Sequence, residues 1–276
     1  MTSADRDARL RTARLSPEIA NRHDEAEWLA LYTDDAVVED PFGTPPCRRG
    51  AGTRGGRDDL RRFYAAFIAG TSIRIEERLD VVVKDTVVRD VVLHVKLPGG
   101  GRASIPAFLE YDLDASNGAL RVGRMRAYWD ARRNGRAMMA QGLRGKVTSL
   151  LSAARLFRHF GRDWTRRYVE GTKRGIRRDG PSLVAALARA LSAGDRAALD
   201  AVCTKGATLV LPGAAPKPLS QAGPVAIEMD APICSGFVCA ARCRTRGPDG
   251  KVEGVAFVEV DPSSKRVACL RLLWEG

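Results

Sequence analysis

The chain repeats itself. Residues 24–31 align without a gap with residues 195–202, and the same register carries 36–41 onto 207–212. Further on, residues 107–112 answer 256–261, and Trp129-Asp130 answers Trp274-Glu275. Four matches in one order constrain the fold more tightly than composition does, because each copy has to close a core from the same supersecondary pattern. A chain of 276 residues accommodates two such units of about 100–150 residues each.

Each copy opens with an expected helix, over residues 17–32 and 182–203, followed by a short β-branched run that ends at Pro41 or Pro212. In the first copy Leu60, Phe63, Tyr64 and Phe67 recur at spacings of three and four, which predicts a helix over 56–69. Strands are predicted over 72–83, 87–97, 102–113 and 120–129, with Gly99, Gly100 and Gly101, then Ser116, Asn117 and Gly118, at the turns. Helices followed by a mostly antiparallel sheet make an α+β layer fold. Asp40 and Ala107 are 67 positions apart whereas Leu211 and Ala256 are 45 apart, so the second copy is expected to lack one helical wall.

The net charge of +12 is unevenly placed. Residues 131–178 hold 14 Lys and Arg against Asp163 and Glu170, which accounts for the whole surplus. The flanking copies are nearly neutral, so charge gives no reason to expect nucleic-acid binding by either. Within the basic segment Leu143, Val147, Leu150, Ala154, Phe157, Trp164 and Tyr168 keep a 4-3 spacing with one gap at Gly161, which predicts one or two amphipathic helices. Two readings stay open for them. Either the apolar stripe is buried on the sheets and the basic face is solvated, or the segment meets an anionic membrane surface or an acidic carrier protein.

Six cysteines are present without a C-x-x-C pair, and the only imidazoles are His23, His94 and His159, so neither a metal site nor a cofactor is expected. The thiols read as reduced core residues. His94 alternates with Val92 and Lys96 and is expected at the surface. The first 16 residues do not read as a secretory signal and no run of about 18 apolar residues occurs, so a cytoplasmic protein is expected, with membrane-peripheral contact through the basic segment as the variant.

The run from Leu31 to Pro46, centred on Glu39-Asp40-Pro41-Phe42-Gly43, resembles the core motif of the ketosteroid isomerase, SnoaL-like branch of the NTF2-like superfamily. Phe63-Tyr64 and Ala127-Tyr128-Trp129 extend the resemblance over residues 16–130; over the second copy it is weak. It implies two NTF2-like (cystatin-like) cones, each a curved, mostly antiparallel sheet wrapped by helices. The expected divisions are 1–132, a basic helical linker over 133–178, and a truncated, degenerate copy over 179–276. It also implies a pseudo-dimer within the chain, or a homodimer.

The resemblance assigns Asp40 as the general base that carries a proton between carbons of an apolar, steroid- or polyketide-like substrate. Asp40 ends a short apolar strand, and Pro41 cannot donate a backbone hydrogen bond to it, a setting that turns a carboxylate toward a cavity. The two family donors to the enolate oxygen fall on Ser16 and Leu109, so Tyr32 and Tyr64 are the expected polar supports. Trp129, Phe63, Ile75, Leu109 and Ser16 are the expected substrate contacts. Glu77 shares the alternation of Ile73, Ile75 and Leu79, and Glu110 would turn inward with a bulge; either could be a second carboxylate opposite Asp40. That pairing would suit an epoxide hydrolase or cyclase of the polyether type. A non-catalytic binding or scaffolding protein is the third reading. In the second copy Leu211 stands in register with Asp40 and Cys203 with Tyr32, so the same reaction is not expected there.

Overall fold

The computed structural model describes residues 2–50, 58–116, 118–247 and 250–275. The chain divides into two units, Met1–Lys173 and Arg174–Gly276. Each is α+β, a mixed sheet with helices against it.

In the first unit, α1 (Ser3–Arg22) starts at a capping box in which Thr2 and Asp5 satisfy each other's backbone N–H groups. Its buried stripe includes Leu10, Ala13, Ser16, Ile19 and Ala20, so the helix reaches well before the expected start at residue 17. It stops at His23, whose left-handed φ of 58° ends the helical path, and Asp24 then caps α2 (Glu25–Ala30) by accepting from the Glu27 N–H. The single helix expected over 17–32 is therefore two.

Strands β1 (Tyr32–Glu39), β2 (Cys47–Arg48), β3 (Ser72–Val83), β4 (Thr86–Lys96), β5 (Arg102–Asp114) and β6 (Arg121–Tyr128) form one sheet in the order β2-β1-β6-β5-β4-β3. Only β1 and β6 run parallel; the other neighbours are antiparallel. Between β2 and β3, α3 (Asp59–Phe63) is capped by Asp58 and continues as a π-helical turn over Tyr64–Ile68. The expected start of that helix at residues 56–57, and Asn117 of the expected turn, lie outside the described residues.

The basic segment forms α4 (Ala131–Met139) and α5 (Leu143–Lys173), the latter broken at Gly161, whose φ of 79° no L-residue adopts comfortably. Both helices lie in the first unit rather than outside it. Thr148 accepts from the Gly101 N–H at 2.9 Å, Arg155 donates to the Ala65 and Ala69 carbonyls, and Phe160, Trp164, Tyr168 and Phe67 stack in succession. Where α5 crosses the loop after Asp40, a Cβ on Gly171 would stand 2.7 Å from the Gly43 carbonyl oxygen, so only glycine permits the approach. The apolar stripe divides between the two readings. Tyr168 is buried and Trp164 packs inward, whereas Leu143, Val147, Leu150 and Phe157 are exposed.

The second unit has its own core, with Leu187, Leu191, Leu209, Val258, Leu270 and Leu272 at its centre. Helices α6 (Gly180–Ala193) and α7 (Arg196–Val202) are separated by Gly194 in the left-handed region and Asp195 as N-cap, the device seen at His23 and Asp24. The strands are β7 (Cys203–Val210), β8 (Lys217–Pro218), β9 (Ile227–Met229), β10 (Ile233–Ser235), β11 (Val238–Gly247), β12 (Gly250–Val260) and β13 (Val267–Trp274). Their order, β10-β11-β12-β13-β7-β8 with β9 also on β11, matches that of the first sheet, again with one parallel pair, β13 and β7. Where the first unit has α3, this one has only the turn Leu219–Gln221. Cys234 and Cys239 face each other across β10 and β11 and form a disulfide, which corrects the expectation that every thiol is reduced. Among the described residues no helix of either unit is long and apolar enough to cross a membrane.

Candidate active site

A chamber of about 460 Å³ lies between the first sheet and the helices α1, α2, α4 and α5. Its lining is overwhelmingly apolar, and among the described residues Asp40 is the one carboxylate on it. The fold places Asp40 there through the parallel pairing of β1 and β6, which sets Glu39 opposite Arg126 and brings the strand ends together. The Phe42 N–H then donates to the Ala127 carbonyl at 2.8 Å, and the Asp40–Pro41 peptide is cis.

Trp129, one residue past the end of β6, donates its indole Nε1–H to Asp40 Oδ1 at 2.6 Å. It was expected as an apolar wall; it is also the polar partner of the carboxylate. Oδ2 carries no hydrogen bond among the described residues. Burial raises the Asp40 carboxyl from 3.8 to about 6, and the Trp129 bond opposes that rise without cancelling it. Asp40 is half-buried and lines the chamber.

On the same lining, Ser16 Oγ and Tyr32 Oη are hydrogen-bonded at 3.0 Å, and Tyr111 joins them from β5. Burial, with Tyr111 next, pushes the Tyr32 hydroxyl well above its usual range. Burial likewise lifts Tyr111 up to about 12, against the pull of Arg89, with the Asp40 charge adding to the rise. These hydroxyls are therefore protonated donors at neutral pH. Tyr168 of α5 is also on the wall, and its hydroxyl is raised by burial first and by Asp40 second.

Of the residues singled out from the sequence, Asp40, Tyr32, Ser16, Phe63, Ile75, Leu109 and Trp129 all line the chamber. Three do not. Tyr64 packs its ring 5.6 Å from Trp28, and its buried hydroxyl has no partner among the described residues, because the π-helical turn presents Phe67 and Ile68 to the chamber instead. Glu77 follows the alternation of Ile73 and Ile75 but is drawn into ion pairs with Arg14 (2.6 Å) and the fully buried Arg89, both of which also hold Asp80. Glu110 keeps unbroken register with β4, so it points away from the face of Leu109 and Tyr111, and it accepts from the Tyr128 hydroxyl at 2.8 Å. Neither glutamate faces Asp40. His94 bonds Ser104 and Glu76 outside the chamber.

Tyr111 was legible and overlooked: it lies two residues beyond Leu109 on a strand, hence on the same face. The contribution of α5, with Thr148, Ser152, Leu156 and Tyr168 on the wall, had no local signal beyond the stripe itself.

Residues 14–120 match the family model of the SnoaL-like domain. The first unit carries a SnoaL-like domain. The matched range contains Asp40, Ser16, Tyr32 and Tyr111; Trp129 and the α4–α5 wall lie beyond it. Among solved structures, the chain resembles the epoxide hydrolase/cyclase-like enzyme SalBIII of pyran ring formation in the polyether salinomycin, at 19% identity and a TM-score of 0.38, covering 46% of this chain and 95% of that one. A Mycobacterium tuberculosis protein in complex with estradiol-17beta-hemisuccinate matches at 23% identity and a TM-score of 0.38, covering 45% of this chain and 94% of that one. The Delta 5-3-ketosteroid isomerase of Mycobacterium sp. matches at 24% identity and a TM-score of 0.37, covering 45% and 93%. No curated protein matches the chain.

Proposed function

We propose that the SnoaL-like unit is a general-base enzyme that moves a proton between carbons of an apolar carbonyl compound of steroid or polyketide size. The observation that carries this reading is the Asp40 carboxyl, raised to about 6 inside an apolar chamber of about 460 Å³. A cavity of this size falls in the range that takes a small organic ligand. A base poised near neutrality is ionised enough to act and basic enough to accept a proton held by carbon.

In this reading Oδ2 of Asp40 removes a proton from the carbon between a carbonyl and an alkene. The C–H pair flows to the carbonyl oxygen and makes an enolate. Donation from the Ser16–Tyr32–Tyr111 hydroxyl group stabilises that oxygen, in place of the family's two donors, whose positions fall on Ser16 and Leu109. The protonated Asp40 then returns the proton to the far carbon of the alkene, giving a conjugated enone and regenerating the base. Trp129 holds Oδ1, so the carboxylate turns little between the two transfers. Epoxide opening by two carboxylates has less support, since Glu77 and Glu110 are both engaged elsewhere.

The test is the ultraviolet rise of a conjugated enone formed from a β,γ-unsaturated cyclic ketone. Asp40→Asn is expected to lower the rate by about 10²–10⁴-fold. Absence of turnover by the unaltered protein across a panel of such ketones would remove the reading.

A further inference from the structure

The first half of α5 has its faces arranged the opposite way round from a helix of a water-soluble surface. Residues 143–160, before the break at Gly161, span about 27 Å. At 100° per residue, Leu143, Val147, Leu150, Leu151 and Phe157 fall in one sector of about 120°. That sector faces water: Leu143 is 78% exposed, Leu150 71% and Phe157 58%. The opposite side, Gly145, Thr148, Ser152 and Leu156, packs on the unit, and Thr148, Ser152 and Leu156 line the chamber. Arg144 and Arg158 lie toward one edge of the apolar sector and Lys146 along the other, all exposed. None of the three is held by a described carboxylate.

An exposed apolar patch rimmed by cations marks a surface that is covered in use. A second copy of the same face would set like charges against each other, because residues 131–173 hold 11 Lys and Arg and only two acids. Leucine and phenylalanine side chains bordered by long cationic arms match the boundary between headgroups and acyl chains of an anionic bilayer, where the arms reach the phosphates. We propose that this face of α5 docks on an anionic lipid membrane, lying in its surface. The same helix then touches the bilayer on one side and the ligand chamber on the other, so an apolar compound dissolved in the membrane has a short route to Asp40. The docking surface stands independently of the reaction assigned to Asp40.

The experiment is co-sedimentation of the full chain with vesicles of phosphatidylcholine alone and of an equimolar mixture with phosphatidylglycerol. Binding is expected to the mixed vesicles only and to weaken as salt is raised. The triple variant Arg144→Gln/Lys146→Gln/Arg158→Gln should bind on the order of 100-fold more weakly. The double variant Leu150→Ser/Phe157→Ser, altered only at exposed positions, should keep its thermal transition and lose at least about tenfold in binding. No binding to the mixed vesicles would overturn the proposal, leaving an acidic protein as the partner. So would binding unaltered in the double variant, or light scattering showing a dimer that the double variant dissociates.

Discussion

At the scale of single residues, the proposed reaction turns on one ionisation. Asp40 costs the folded protein free energy when charged, because burial disfavours the carboxylate more than the Trp129 bond favours it. The folded value is raised, so the native state binds the proton more tightly than the unfolded chain does. Relative stability is highest below the unfolded value near 4 and falls as pH rises through about 6. Asp40→Asn should therefore stabilise the protein by on the order of 2 kcal/mol at pH 8, with the gain vanishing near pH 3.5, as read by urea unfolding at both pH values. Activity should run the other way, rising with pH through a midpoint near 6 as the base ionises. Tyr32→Phe and Tyr111→Phe each remove a hydroxyl donor from the chamber and are expected to lower kcat by about 10²-fold with that midpoint unmoved. Tyr64→Phe, in contrast, discards a buried hydroxyl that has no partner among the described residues and lies off the chamber, and should leave kcat unchanged.

At the scale of elements, α5 decides how dry the chamber is. Gly171 lets it press on the loop that follows Asp40, and Gly171→Val should force the two apart. The expected results are a loss of about 1–3 kcal/mol in stability and a fall of the Asp40 midpoint toward 4 as water enters, both measurable in one pH series of unfolding curves. The strands were legible because period-two alternation and glycine turns are local signals: 72–83 was read with the limits β3 has, and β4 to β6 within one residue at each end. Helix limits were less so. A charged stretch such as residues 3–16 becomes helical through a capping box and a buried stripe whose partner, the sheet, is far away in sequence. The same reason hid the inner face of α5, since a 4-3 spacing states that a stripe exists but not what it meets. Glu77 shows the limit of alternation: a register shift separates it from Leu79, and Arg14 of α1 and Arg89 of the neighbouring β4 hold it in ion pairs.

At the scale of the whole molecule, the chamber and the carboxylate proposed as its base belong to one of two units of like sheet order. Every residue on the chamber wall lies between Ser16 and Thr172, and in the second unit Leu211 follows β7 where Asp40 follows β1. The like order of strands was foreshadowed by the four aligned segments, and so was the missing helix, because a deficit of 22 positions leaves room only for a short turn. Core damage confined to the second unit, such as Leu187→Ala, should cost about 2–5 kcal/mol there while leaving the Asp40 midpoint where it is. A carbon-13 NMR titration of aspartate carboxyl groups in the full chain, compared with Asp40→Asn, shows whether the carboxyl is sheltered. One resonance with a midpoint near 6, absent from the variant, is the predicted result. Should the aspartate that disappears in the variant titrate near 4, the carboxylate is hydrated and no sheltered base exists in the chamber.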